Sequence, residues 1–470
     1  MKRFLVVALA LLLTACASGP NYQRPDIKAP AAFRGQAGPP DSRSLADLAW
    51  WELYRDPVLE QLIKTALQQN YDVRIAMARV EEFRAQTGIS GLGSIPQVSV
   101  AGGATRSRVS AVGPNPLPAS AAPVRSTYSG EIDVSYEVDL WRRIASVQAA
   151  ARADLLASEF ARDTVRVAVI ANVASVYFAL RALDQQLFVT QRTVAIRGKF
   201  LELTRAQFGR GVVSGLDVNR AEASLATARA TIPDLKSQIA QAENQLQILL
   251  GENPAPIVRA AASDAQFFPA PPDVPAGLPA SLLERRPDLR QAESNLISAN
   301  ARLKAVKASL FPTISLTGAL GSQSAQLANL FTGPAKIWSF GLGLLQPVID
   351  ANRNVYQVDI YTAREQQVML QYQQTVAQAF REVSDALAAR QGYRESLQAQ
   401  DEQIAALRAV SERVLKRNAA GYSSYFEVID AEKTLFDAEL QRVQVYRNTL
   451  TSMVQLYKAL GGGWQAPAVH

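Results

Sequence analysis

The strongest constraint on this fold is that the sequence repeats itself. Residues of the segment 211–251 recur without a gap in 421–461, 210 positions later. The matched pairs include Gly211 and Gly421, Asp217 and Glu427, Val218 and Val428, Ala221 and Ala431, Leu225 and Leu435, Leu250 and Leu460, and Gly251 and Gly461. A second pair of segments, 72–102 and 288–318, matches at an offset of 216. One structural unit has therefore been built twice, which indicates an architectural role.

The N-terminus has the pattern of an export signal. Two basic residues precede an apolar run, 4–13, that is too short for a transmembrane helix of about 20 residues. Residues 1–15 are therefore predicted to be a signal peptide. The next residue, Cys16, is the only cysteine and ends a Leu-Thr-Ala-Cys segment that resembles the lipobox of bacterial lipoproteins. We expect a covalent lipid on Cys16, and Ala17 in place of Asp favours sorting to the outer membrane.

The composition excludes most catalytic chemistry. His470 is the only histidine, so neither a histidine triad nor a histidine metal cluster can form. Gly341 and Gly343 lack the third glycine of a nucleotide-binding loop. The formal net charge of +7 is spread over 470 residues without a basic block, so nucleic-acid binding is not expected. The sequence therefore predicts no enzyme activity, no metal and no cofactor.

Four segments alternate between apolar or small residues and polar ones, which is the period of a β-strand. They are about 97–108, 128–140, 313–322 and 337–346. Their length is that of a tilted transmembrane strand, roughly 9–11 residues. The sheet of a soluble protein, with one solvent-exposed face, would show the same alternation of apolar and polar residues, but the lipobox favours strands that cross a membrane. Because four strands cannot close a barrel and lipid tolerates no open strand edge, we expect the chain to oligomerise.

Two long segments have the composition of helices. Residues 143–208 and 352–418 contain no proline and are rich in Ala, Gln, Arg, Leu, Val and Glu. A helix of this length extends about 100 Å, roughly three times the hydrocarbon thickness of a membrane. Each ends at a glycine turn and reverses, which predicts two antiparallel helical hairpins. The predicted organisation is a signal peptide 1–15, an extended leader 16–55, a first repeat 56–250, a Pro-rich linker 251–279, a second repeat 280–461 and a tail 462–470.

The residues after each glycine turn predict a helix cap. Ser214 precedes Asp217 by three residues, and Ser424 precedes Glu427 in the same way. This spacing is that of a capping box, in which the hydroxyl and the carboxylate each accept from a backbone N–H of the first turn. The same signal in both halves predicts where the two hairpins reverse.

Five sequence blocks identify a family. They are Gly19-Pro20-Asn21-Tyr22, Trp51 with Asp56-Pro57, Tyr136-Glu137-Val138-Asp139-Leu140-Trp141, Arg285-Arg286-Pro287-Asp288-Leu289 and Leu456-Tyr457-Lys458-Ala459-Leu460-Gly461-Gly462-Gly463-Trp464. Together and in this order they resemble the outer-membrane factor family of tripartite efflux systems, the TolC-like channels, in its OprM-like lipoprotein branch. The resemblance covers nearly the whole mature chain.

The resemblance implies an α+β membrane protein with an internal two-fold repeat. In this family a homotrimer forms a twelve-stranded outer-membrane β-barrel, to which each chain gives four strands. A long α-helical barrel continues it into the periplasm. The hairpin ends close an aperture and meet a periplasmic adaptor protein, which is bound to an RND-type pump of the inner membrane.

The family's aperture carries an apolar ring and an acidic ring, which fall here on Phe426 and Asp430. The first-half counterparts are Leu216 and Arg220, so only the second hairpin supplies the acidic ring. Arg220 and Lys433 are candidate partners of the Asp430 carboxylate. The turn residues expected to dock the adaptor are Gly211, Val212, Val213, Gly421, Tyr422 and Ser423. Simpler explanations exist for both sets: Asp430 could be a solvated residue on a helix face, and the turn residues could serve the hairpin geometry alone.

The expected function is a passive, gated outer-membrane conduit through which an energised pump exports small molecules such as drugs. Two alternatives within the same fold are a channel for type I protein secretion and one for heavy-metal efflux. A structural periplasmic lipoprotein with a soluble β-domain is a rival of another class, and it would not conduct ions. Because the sequence predicts no nucleotide site, the energy must come from partners.

Overall fold

The computed structural model describes residues 22–27, 29–35, 56–110, 112, 122–263, 279–346 and 351–462. The predicted signal peptide and Cys16 lie outside these residues. So do most of the leader, much of the linker and the chain from 463 onward.

The described elements follow one order twice: two helices, two strands and two long helices. The first half contains α1 Pro57–Gln69, α2 Tyr71–Leu92, β1 Gln97–Arg108, β2 Val124–Glu137, α3 Arg143–Gly209 and α4 Gly215–Leu250. The second half contains α5 Leu282–Arg285, α6 Pro287–Ala308, β3 Thr313–Ser324, β4 Lys336–Leu345, α7 Ala351–Ala419 and α8 Tyr425–Ala459. Short 3₁₀ turns occur at Pro279–Ser281, Leu327–Asn329 and Gly333–Ala335. The repeat in the sequence is therefore a repeat of secondary structure.

The chain forms two compact units. One contains the described residues within 22–26, 80–158 and 292–372, and it holds all four described strands. The other contains the described residues within 27–79, 159–291 and 373–462. The large side chains buried in this second unit are Leu59, Ile63, Tyr177, Phe178, Leu180, Leu246, Leu282, Leu289, Leu450 and Met453. One window of α3 is apolar enough to cross a membrane, but 61% of it is buried, as in a core helix.

The start of α1 is fixed by Asp56. Its carboxylate accepts hydrogen bonds from the backbone N–H groups of Val58, at 2.9 Å, and Leu59, at 3.2 Å, while Pro57 occupies the first helical turn. The other carboxylate oxygen accepts from the Tyr177 hydroxyl at 2.8 Å. Burial, together with this hydrogen bond, raises the pKa of Tyr177. One side chain thus caps α1 and attaches it to α3.

Each half closes on itself at an equivalent junction. Asn70, between α1 and α2, donates from its amide to the carbonyl of Leu249 at the end of α4, at 2.9 Å. Arg286, between α5 and α6, donates to the carbonyl of Ala459 at the end of α8, at 3.0 Å. These are matching positions of the two repeats. Because the last carbonyls of a helix have no partner within it, each junction supplies one of these acceptors with a donor.

The second junction carries charge where the first does not. The Arg286 guanidinium binds the Asp288 carboxylate at 2.6 and 3.0 Å and the Glu382 carboxylate at 2.8 Å. In the first half Asn70 and Asn172 occupy the positions of Arg286 and Glu382. The hydrogen bond to the end of the returning helix is therefore present in both halves, although its donor is an amide in one and a guanidinium in the other.

The four strands form one antiparallel sheet in the order β1-β2-β3-β4. The registers pair Val100 with Ile132, Ile132 with Leu320, and Leu320 with Trp338. Because directly paired residues point to the same side of a sheet, this row places four apolar side chains on one face. β1 and β4 are the edges, and each has only one strand partner among the described residues.

The two faces of the sheet differ sharply. The apolar face carries Val98, Val100, Tyr128, Ile132, Val134, Tyr136, Ile314, Leu316, Leu320, Trp338, Phe340, Leu342 and Leu344. Several of these side chains are uncovered, and Trp338 and Phe340 are 79% and 75% exposed. The opposite face carries Glu131, Asp133 and Glu137 together with serines, threonines and glycines.

β2 is displaced from its predicted position, 128–140. It begins at Val124, because β1 extends to Arg108 and pairs with it there. It ends at Glu137, because Asp139 turns to cap α3 by accepting from the N–H groups of Ile144 and Ala145, at 2.9 and 2.7 Å. A helix cap thus ends the strand although the polar alternation continues.

Gly251 is the residue whose replacement we expect to damage a junction most. Its φ of 76° is left-handed, and an added Cβ would overlap the Gln69 carbonyl. Gly251→Ala is therefore expected to lower the free energy of unfolding by about 2 kcal/mol or more. Thermal unfolding followed by circular dichroism measures this loss.

Gly392→Ala is the matched control. Gly392 lies inside α7 with open space around it, so alanine is expected to leave stability unchanged or raise it by up to about 1 kcal/mol. Equal midpoints for the two variants would contradict the role assigned to Gly251.

Candidate functional site at the hairpin ends

The two hairpins reverse through the same backbone geometry. Gly211 and Gly421 have φ values of 74° and 81°, which glycine adopts without strain. The N–H of Val212 donates to the Gln207 carbonyl at 3.0 Å, and that of Tyr422 to the Arg417 carbonyl at 2.9 Å. These bonds satisfy carbonyls that the ends of α3 and α7 leave open.

Both returning helices begin with a capping box. The Ser214 hydroxyl accepts from the N–H of Asp217 at 3.3 Å, and the Asp217 carboxylate accepts from the N–H of Ser214 at 3.1 Å. Ser424 and Glu427 make the same two bonds at 3.3 and 3.1 Å. The turns that join α3 to α4 and α7 to α8 are solvent-exposed and carry apolar side chains, notably Val212 and Tyr422.

The two hairpins pack together just beyond their turns. Leu201, Ala221, Leu225 and Tyr425 form a buried cluster, against which Val194, Phe200, Val218 and Ile429 pack. The Tyr425 ring lies 5.6 Å from the Phe200 ring, and burial raises the pKa of its hydroxyl. The first-half counterpart of Tyr425 is Gly215. The role of Tyr425 was not predicted from the sequence, although its departure from the repeat was a signal for it.

The predicted aperture residues lie at the start of α8. Phe426 and Asp430 are exposed, and the Arg220 guanidinium lies 5.5 Å from the centre of the Phe426 ring. Arg220 also lies 4.0 Å from the Asp217 carboxylate. Among the described residues, no ion pair joins Asp430 to Arg220 or to Lys433. Within one chain, therefore, Arg220 contacts the Phe426 ring and not the Asp430 carboxylate.

A buried charge cluster, which was also not predicted from the sequence, joins the hairpins further along the helices. Glu439 of α8 is only 7% exposed and binds Arg192 of α3 and Arg408 of α7, the latter at 2.9 Å. The first-half counterpart of Glu439 is Arg229, and the second-half counterpart of Arg192 is Glu402. These sign reversals between the halves were the available signal.

A groove of about 550 Å³ runs beside this cluster. Its lining includes Ile196, Leu415, Leu435 and Phe436. Arg197 lies nearby, where it donates to the Ser224 carbonyl at 2.8 Å and lies 5.3 Å from the Phe436 ring. Burial lowers the pKa of Arg197. The region therefore combines buried charges with apolar contacts between helices of both hairpins.

Glu439→Gln tests whether the cluster stabilises this packing. The substitution keeps the shape of the side chain but leaves two guanidinium groups without their anion. We expect the free energy of unfolding to fall by about 1 to 3 kcal/mol, as measured by urea unfolding.

Glu60→Gln is the control, because Glu60 forms an exposed pair with Lys64 on α1 at 2.7 Å. An exposed pair of this kind contributes little, so the change should be small. A loss at Glu439 no larger than at Glu60 would contradict a stabilising cluster.

Comparison with known proteins gives a consistent result. The family model for the outer membrane efflux protein matches residues 62–252 and again 278–462, one match in each half. The antibiotic efflux pump outer membrane protein ArpC of Pseudomonas putida is 36% identical over 97% of this chain and 94% of its own length. The cation efflux system protein CusC of Escherichia coli O6:H1 is 32% identical over 98% of this chain and 99% of its own. The solved outer-membrane channel OprN superposes with a TM-score of 0.88 at 27% identity, covering 96% of this chain and all of that one.

Proposed function

Because this chain belongs to the outer membrane efflux protein family, we propose that it forms the outer-membrane channel of a tripartite, RND-type efflux system. It would be a passive, gated conduit that exports small molecules such as drugs and so contributes to multidrug resistance. The channel uses no cofactor and catalyses no reaction, and an inner-membrane pump supplies the energy.

The observation that carries this proposal is the exposed apolar face of the sheet. Alternating apolar-out and polar-in residues are typical of strands that cross an outer membrane. Trp338, Phe340, Leu342 and Leu344 follow one another along β4 on this face, and all are exposed. A soluble protein rarely leaves so continuous an apolar surface open to water. We infer that this face contacts lipid.

The open edges of the sheet favour an oligomer, and we propose a homotrimer as in the family that the chain resembles. The backbone groups of β1 and β4 that face away from the sheet need partners, because an unpaired group in hydrocarbon costs several kcal/mol. Three chains would supply twelve strands, with β4 of one chain beside β1 of the next. The polar face, with Glu131 and Asp133, would then line an aqueous lumen.

Cys16 would add a lipid anchor on the periplasmic side, where the helical hairpins are also proposed to lie. The channel would therefore be anchored in the bacterial outer membrane both by its strands and by a covalent lipid.

We propose that Phe426 and Asp430 narrow the periplasmic aperture. Around a threefold axis, three Asp430 carboxylates would attract cations and repel one another, which makes the closed state sensitive to nearby positive charge. Arg220 lies 5.5 Å from the Phe426 ring, so it places a positive charge beside the proposed apolar ring. Lys433 is the second candidate partner of the Asp430 carboxylate. It is exposed on α8, three residues after Asp430.

The conductance of single channels tests both the function and the aperture. Phe426→Ala with Asp430→Ala is expected to raise conductance in planar bilayers severalfold, because it removes the bulk and the charge at the narrowest point. Leu216→Ala, at the matching place in the first hairpin, is the control and should change it little. A wild-type protein that never conducts would refute the channel, whereas an unchanged double variant would refute the aperture assignment alone.

The partners proposed are a periplasmic adaptor protein and the RND-type pump to which it binds. The exposed turns are the sites for the adaptor, because they are the ends of both hairpins and present Val212 and Tyr422 to solvent. Six such turns in a trimer, related in pairs by the repeat, would offer six similar docking positions.

Cysteine cross-linking tests the docking sites. Because Cys16 is the only cysteine, Val212→Cys and Tyr422→Cys each introduce one reactive thiol. With a short bifunctional reagent, both are expected to cross-link to a co-expressed adaptor. Lys236→Cys and Gly392→Cys, exposed on α4 and α7 away from the turns, are the controls. Equal cross-linking from the control positions would contradict docking at the turns.

A further inference from the structure

Three cations interrupt the apolar face of the sheet, all at one end. Arg106 and Arg108 lie near the end of β1, and Lys336 begins β4. By strand alternation they share the face of Val100 and Trp338, and all three are exposed. No described residue forms an ion pair with any of them. They are therefore positive charges on an otherwise apolar surface.

The distribution of charge on this face is one-sided. Within the four described strands, no residue that shares this face is acidic. The acidic residues of the sheet, Glu131, Asp133 and Glu137, are on the opposite face. Acidic residues of the described sheet therefore do not pair with the three cations, which are open to a ligand from outside the chain.

The topology places the three cations at the end of the sheet away from the helices. They lie beside the β1–β2 and β3–β4 connections, whereas α2, α3 and α6 join the strands at the other end. If the helices lie in the periplasm, as the proposed function requires, this end faces the outer leaflet. Long Arg and Lys side chains at such a boundary extend from the apolar zone to the headgroups.

We propose that Arg106, Arg108 and Lys336 form a binding site for the phosphate groups of an outer-leaflet lipid. Guanidinium and ammonium groups form charge-assisted hydrogen bonds with phosphate oxygens, and the apolar residues below them match acyl chains. The inference rests on the proposed function, because it requires this face to contact lipid. In the proposed trimer, Lys336 of one chain and the two arginines of the next lie on adjacent strands, so each site forms between two chains.

The kind of ligand follows from the positive charge of the site and from the apolar surface beside it. A lipid phosphate combines the negative charge that the cations need with the acyl chains that the apolar face needs, whereas free phosphate supplies only the charge. The lipid of the bacterial outer leaflet carries phosphates on its glucosamine headgroup, so bisphosphorylated lipid A is the appropriate probe.

The test uses the full-length protein purified in detergent and titrated with bisphosphorylated lipid A. The rise in the thermal unfolding midpoint gives an apparent dissociation constant. Arg106→Gln, Arg108→Gln and Lys336→Gln are expected to weaken binding about fivefold each, and the triple variant on the order of a hundredfold. Arg125→Gln is the matched control, because Arg125 lies at the same end of the sheet on the polar face.

Two further titrations identify the ligand. Lipid A without its phosphates and inorganic phosphate alone should each give little or no shift. An undiminished shift for the triple variant, or an equal shift with the dephosphorylated lipid or with inorganic phosphate, would overturn the site. If the triple variant does not fold, the three single variants carry the same test.

Conductance separates this inference from the function on which it rests. In phospholipid bilayers free of lipid A, the triple variant should conduct like the wild type. Absence of conductance in the wild type would count against the channel, whereas normal conductance with unchanged lipid binding in the variant would count against the phosphate site alone.

Discussion

Each half of the chain is closed by one polar side chain that binds the end of its own returning helix. Asn70 binds the Leu249 carbonyl and Arg286 binds that of Ala459. A left-handed glycine follows each helix, Gly251 or Gly461, and packs against the backbone just before the bonding residue. This contact leaves no room for a Cβ at Gly251. Both hairpins depend on these two junctions, because the junctions fix where the returning helices α4 and α8 end.

The two halves share a backbone but differ in the side chains that join them. Tyr425 replaces the glycine of the first half and fills the cluster between the hairpin ends. Glu439 replaces an arginine and binds Arg192 and Arg408. Both of these departures from the repeat occur where the halves contact each other, whereas Arg286, in place of Asn70, makes its contacts within the second half.

Most of the fold was predictable from the sequence, because it follows local rules. The alternation of apolar and polar residues predicted four strands, and the glycine turns with their capping boxes predicted where the hairpins reverse. The prediction was less accurate at β2, where the alternating pattern runs on to Leu140 but the strand ends at Glu137. There the pattern did not reveal that Asp139 caps α3. The number of chains needed to close the sheet follows from the family resemblance and remains part of the proposal.

The sequence by itself determined the repeat, the order of the elements and the residues at each turn, because backbone preference and periodicity act over a few residues. Only the tertiary structure decided which distant side chains meet. It placed Arg220 beside Phe426 and not in an ion pair with Asp430, buried Glu439 between two arginines, and left the apolar side of the sheet uncovered with cations at one end. These contacts depend on how far each helix is rotated and how each strand is paired, and both are set by packing between segments far apart in the chain.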